Sequence, residues 1–214
     1  MHWLDPDYLP EISGAFERFL LNSHGDADGM ILGEGLEVHF PPHMSADVRA
    51  VIRQGETIKV RGVRPRGSDM VAAVAIETMD GKRIVDDGPP KGRDEDATPD
   101  MPAPAKSKHE AMQAEGVVRR VLHGPKGEAR GALLDDGMII RIPAKEALHF
   151  AHLLSPGQRL AARGQGLRSD LGAVIDAREI GPSTGELHPL KPKEPEPKKH
   201  APKDAADTDA ATPV

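Results

Sequence analysis

A few groupings of side chains in this sequence have the types and spacing to do chemistry. His39 and His43 stand four apart in HFPPH, with His24 upstream as a third nitrogen donor, a pattern that invites a zinc reading. On a helix this spacing would put both rings on one face. Here Pro41 and Pro42 lie between them and forbid that helix, and no cysteine or adjoining carboxylate completes a tetrahedral set. Surface or loop-packing histidines are the better reading. Carboxylates pair at Asp26/Asp28, Asp86/Asp87 and Asp135/Asp136. The first and last of these pairs fall between apolar runs, where Asp favours turns by bonding its own backbone. No nucleophile elbow signals a Ser/His/Asp arrangement, and there is no G-x-x-x-x-G-K-[ST] loop and no dinucleotide fingerprint. The expectation is a non-enzyme, with no catalytic residue, no metal site and no small-molecule cofactor.

What remains is cationic chemistry. Arg119, Arg120, Lys126, Arg141, Arg163 and Arg168 all lie in the C-terminal half. Guanidinium groups take phosphate through paired hydrogen bonds, so these six form the candidate nucleic-acid site, for single-stranded DNA or RNA. Stacking surface is scarce, since Phe150 is the one aromatic between 116 and 181. Binding dominated by phosphate and sensitive to salt is therefore expected. A second grouping, Trp3 and Tyr8 with Leu4 and Leu9, lies in a proline-broken N-terminal arm and suits docking onto a protein partner or across the adjoining domain.

The elements that must carry these side chains occur twice. At an offset of 102, Gly25, Gly29, Gly35 and Pro41 fall on Gly127, Gly131, Gly137 and Pro143. Gly14, Arg18 and Leu20 fall on Gly116, Arg120 and Leu122, and Gly55, Arg61, Gly62 and Arg66 fall on Gly157, Arg163, Gly164 and Arg168, all without a gap. Two copies of one unit are the simplest explanation. The copies differ in charge: residues 14–81 hold seven Lys/Arg against ten Asp/Glu, and residues 116–181 hold ten against seven. A polyanion would prefer the second. His39 of the first copy is replaced by Arg141 in the second.

Within copy one, 14–21, 28–33 and 36–40 read as strands. Leu36, Val38 and Phe40 face one side, Glu37 and His39 the other. By the same alternation, Ile139 and Arg141 point outward in copy two. Glu34-Gly35 and Asp136-Gly137 supply hairpin turns. A helix follows at 45–52 or 144–154, with Ser45 as N-cap and Gly55 or Gly157 as C-cap, and two more strands come after it at 57–63 and 71–77, or 158–163 and 173–180. An additional strand through Ile84 and Val85 is also expected. The order β-β-β-α-β-β predicts a mainly β protein of two small five-stranded OB-like Greek-key barrels, each with one helix between strands three and four.

The predicted organisation is an extended arm over 1–13, a first OB-like domain over 14–85, a flexible linker over 86–112, a second domain over 113–181, and a disordered Pro/Lys/Ala-rich tail over 182–214. The tail balances five Lys against six Asp/Glu, unlike a one-sided arm for DNA. The paired units resemble the tandem OB-fold-like proteins of bacterial genomes, mostly of unassigned role. The resemblance rests on the G-rich first strand, the D/E-G hairpin, the V-x-F-P or I-x-I-P exit from strand three, and the QG or PG before strand four. It implies a fold and no catalytic residue. OB-folds in general are associated most often with single-stranded DNA or RNA, so a nucleic-acid-binding protein is the first expectation and a protein–protein adaptor on the same scaffold the second. With no cysteine, no apolar run near the roughly 20 residues that span a bilayer, and no basic region before an apolar core at the N-terminus, a soluble cytoplasmic protein without membrane contact is expected.

Overall fold

The computed structural model describes residues 5–88 and 109–191. The first unit contains β1 (Glu11–Leu21), β2 (Ala27–Leu32), β3 (Leu36–His39), α1 (Ser45–Val51), β4 (Thr57–Val63), β5 (Met70–Thr78) and β6 (Arg83–Val85). The second contains β7 (Glu110–His123), β8 (Ala129–Leu134), β9 (Ile139–Arg141), α2 (Ala144–His149), α3 (Ala151–Leu154), β10 (Arg159–Ser169), β11 (Gly172–Gly181) and β12 (His188–Pro189).

In each unit five strands close on themselves. β1 pairs antiparallel with β2 and β4, β2 with β3, and β4 with β5, and a parallel β3–β5 ladder shuts the barrel. The ring β7-β8-β9-β11-β10 repeats these pairings, with β9–β11 parallel. This circuit, with a helix after strand three, is the expected OB barrel. β6 adds to β5 through Ile84, opposite Ile76, as the sequence suggested.

The alternation along β3 places Val38, and Phe40 just past its end, in the first core with Phe16, Met30, Ile58 and Val71. Val118, Leu134, Ile140, Leu160 and Ile175 fill the second. The hairpin at 33–35 needs two residues with positive φ, Glu34 at 64° and Gly35 at 80°, a turn that follows the right-handed twist of its strands.

Several ends differ from expectation. β1 starts at Glu11 and β7 at Glu110, each three residues before the expected start of its domain, because Glu11 pairs with Arg61 and Glu110 with Gly166. The tail does not leave the barrel at 182: His188 pairs with Ile180, and Leu190 is buried in the second core. β10 runs on to Ser169, which puts Arg168 within a strand. Ser45 is not a cap. Its hydroxyl accepts from the Ala27 amide at 3.0 Å, tying the helix to β2. Gly55 and Gly157 lie beyond the helix ends and donate instead to the carbonyls of Phe16 and Val118, both at 2.8 Å, which fastens the turn before β4 or β10 to the first strand. The second helix breaks at Phe150 into α2 and α3. Trp3, linker residues 89–108 and tail residues 192–214 lie outside the described residues.

Candidate nucleic-acid interface

The two barrels share a third buried cluster. Leu20, Leu21 and Ile31 of the first meet Leu122, Leu133, Ile139, Leu167 and Val174 of the second. Leu20/Leu122 and Ile31/Leu133 are equivalents at the offset of 102, so the same patch of each barrel lies in the contact. The polar contacts are reciprocal too. His39 donates through Nε2 to the carbonyl of His123 at 3.0 Å, and its equivalent Arg141 donates through Nε to the carbonyl of Leu21 at 2.8 Å. Arg18 donates to the Gly137 carbonyl at 2.8 Å, while its equivalent Arg120 lies over Gly35, where a Cβ would sit. This is the isologous arrangement of a two-fold dimer, made within one chain.

On the pseudo-axis each equivalent residue meets its own counterpart. Glu17 and Arg119 are skipped by the ladders of β1 with β2 and β7 with β8, and bulged out of their strands they pair with each other at 2.6 Å. Two identical subunits would set like charge against like at this point.

A buried polar network completes the seam. Arg141 holds Asp28 at 2.7 Å, and Glu37, 1% exposed, accepts from the backbone amide and the Nδ1 of His123, both at 2.8 Å. Because a carbonyl only accepts, His39 carries its proton on Nε2. Burial lowers the pKa of His39 below its usual value, opposed chiefly by the nearby Asp28 carboxylate.

The six cations chosen from the sequence are not gathered on one face. Arg141 is 8% exposed and Ile139 fully buried, so neither faces outward as expected, and Arg141 is not the phosphate contact expected of it. The side of β9 that faces away from the core of its own barrel faces the other barrel instead. Arg119 is held by Glu17, and Arg163 by Gln113 at 3.1 Å and Glu179 at 3.0 Å. Arg120, Lys126 and Arg168 make no ion pair among the described residues, Lys126 and Arg168 being exposed and Arg120 half-buried. Tyr8, 88% exposed on a 3-10 turn, does not close the first barrel. The histidines disperse as well: His43 pairs with Asp86 at 3.0 Å while His39 lies in the seam. Among the described residues no three His, Asp or Glu side chains are grouped as metal ligands would be. No helix among them is long and apolar enough to cross a membrane.

One cationic feature was not foreseen. A cavity of about 840 Å³ opens beside the seam, lined by Arg49 on α1, Arg53 just beyond it, Arg18 on β1, Arg119 on β7, and Asp170 and Leu171 in the β10–β11 turn. Phe16, Phe19 and Ile52 form its apolar floor. The four-residue spacing of Arg49 and Arg53 was visible in the sequence, but their approach to Arg119 depends on how the barrels pack.

No family model matches this chain, and no curated protein matches it. Among solved structures it is similar to the wild-type single-stranded DNA binding protein from Thermus aquaticus, at 14% identity over 86% of this chain and 94% of that one, with a TM-score of 0.25. A deletion mutant of the same protein gives 14% identity, 87% and 96% coverage, and the same TM-score. The OB assignment rests on the strand pairing of this chain and not on that likeness.

Chemically, the exposed arginines offer forked donors for phosphate oxygens. The two aromatic rings of the cavity offer little, since Phe16 and Phe19 are core residues with their centroids 4.5 Å apart.

Proposed function

We propose that this chain is a non-catalytic cytoplasmic protein that binds single-stranded nucleic acid on its tandem OB barrels, with Lys126, Arg163 and Arg168 of the second barrel contributing phosphate contacts. The observation that carries this reading is the pairing of two closed OB barrels with arginines left exposed outside a seam that consumes strand three of each. Contacts of this kind read backbone charge and not base identity. The test is fluorescence anisotropy of labelled single-stranded DNA and RNA with the full chain, at low and then physiological salt. Affinity is expected to fall with salt by a slope of about −0.7 per phosphate neutralised. Changing Lys126, Arg163 and Arg168 together to Ala should weaken binding and make that slope shallower. No binding at low salt would refute the proposal. Arg141 is left out of the set because its loss would disturb the seam.

The adaptor reading is favoured by one observation, the exposure of Tyr8 at 88% and Leu148 at 78%, large side chains of the kind that anchor protein contacts. A partner whose binding is unaffected by Tyr8→Ala and Leu148→Ser together would remove it.

A further inference from the structure

We propose that a single-stranded polynucleotide crosses the molecule in the groove beside the seam, with Arg49, Arg53 and Arg119 as its phosphate contacts. This inference rests on the nucleic-acid reading above and extends the path from the outer strands of the second barrel into a site built by both barrels.

Charge comes first. The groove brings together the guanidinium groups of Arg18, Arg49, Arg53 and Arg119, with Glu17 and Asp170 as the acids in its lining. Two positive charges are left over, above an apolar floor that strengthens their field on a docked anion. Availability comes second. Arg53 spends Nη1 on the carbonyls of Arg49, at 3.2 Å, and Ile52, at 3.1 Å, which fixes the group while its other three N–H donors have no partner among the described residues. Arg49 meets Asp170 at 3.5 Å, and the Asp170 side chain is 78% exposed, so this is a weak ion pair that a phosphate can replace. Arg119 is about half exposed and keeps donors beyond the one given to Glu17.

Arg18 supplies the third argument. It lies beside the groove with Nη2 committed to Gly137, and its Nε is buried with no hydrogen-bond partner among the described residues. Burial pulls its pKa down, with Glu17 and Asp136 pulling the other way and Arg119 adding to the loss. A cation so poorly compensated gains when an anion settles beside it. With Phe16 and Phe19 buried in the core, no described residue lining the groove gives a stacking platform, so the groove should hold an abasic strand about as well as one with bases.

The test uses the full chain and labelled oligo-dT in anisotropy, comparing wild type, Arg49→Gln/Arg53→Gln and Arg163→Gln/Arg168→Gln, with thermal melting to verify folding. Glutamine keeps most of each side chain's length, and all four residues are exposed. The groove pair should lose about tenfold in affinity at low salt and about 1.4 in salt slope, the share of two phosphates, with similar losses on an abasic strand. If the groove pair binds like wild type while the outer pair is impaired, the groove assignment is wrong and the nucleic-acid reading stands. If wild type does not bind at all, both fall. Competition by inorganic phosphate or a mononucleotide as effective, per phosphate, as unlabelled oligo-dT would mark a small-anion site and overturn the polynucleotide assignment.

Discussion

His39 and Arg141 occupy the same position in the two copies and do the same work, each donating a hydrogen bond to a main-chain carbonyl of the opposite barrel. One of them can lose or gain charge and the other cannot. His39 is buried neutral, so its folded-state pKa lies below the unfolded value near 6.5. As pH falls through that value the unfolded chain takes up a proton that the folded one resists, and stability declines. Thermal melting between about pH 7.5 and about pH 5.5 should show this decline, and His39→Gln, which keeps a donor and cannot titrate, should show less of it. Equal slopes in the two proteins would count against a buried neutral His39. Arg141 illustrates where the sequence stopped being informative. Period-2 alternation along β9 says which side chains turn away from their own core. It does not say whether water or another protein surface lies beyond, and a short strand bearing Ile and Arg fits either.

At the scale of elements much more was legible. Glycines and prolines in register mark turns and strand exits, and apolar alternation separates strands from the single helical stretch, so the order of elements follows from residue types. Ends were less legible because they depend on partners: Glu11 and Glu110 extend their strands only because Arg61 and Gly166 lie opposite. One demanding element contact is between β8 and β9. Gly131, at φ 149°, lies against β9 so closely that a Cβ would run into the carbonyl oxygen of Ile140. Gly131→Ala must therefore push β9 away, and with it the strand that brings Ile139 and Arg141 to the seam. Chemical denaturation should report a loss of about 3 kcal/mol or more. A loss below about 1 kcal/mol would mean that β8 and β9 separate easily.

For the whole molecule, the sequence revealed two copies but not that they bury a common face, because a linker rich in proline and charge gives no hint of contact between what it joins. The charge difference between copies, which suggested a polyanion for one of them, has a second meaning once they are packed together: an acidic unit sits against a basic one. The Glu17–Arg119 pair concentrates that difference on the pseudo-axis. Expressed as two separate polypeptides, residues 1–88 and 109–214, the halves should therefore reconstitute as a one-to-one heterodimer. Each half with itself would confront Glu17 with Glu17 or Arg119 with Arg119. Native mass spectrometry of the mixture reads the outcome, and a predominance of self-paired halves would contradict it. A fused pair is free to diverge into lock and key at positions where separate identical subunits must stay mirror-matched, and the bulged residue in each first strand records that divergence.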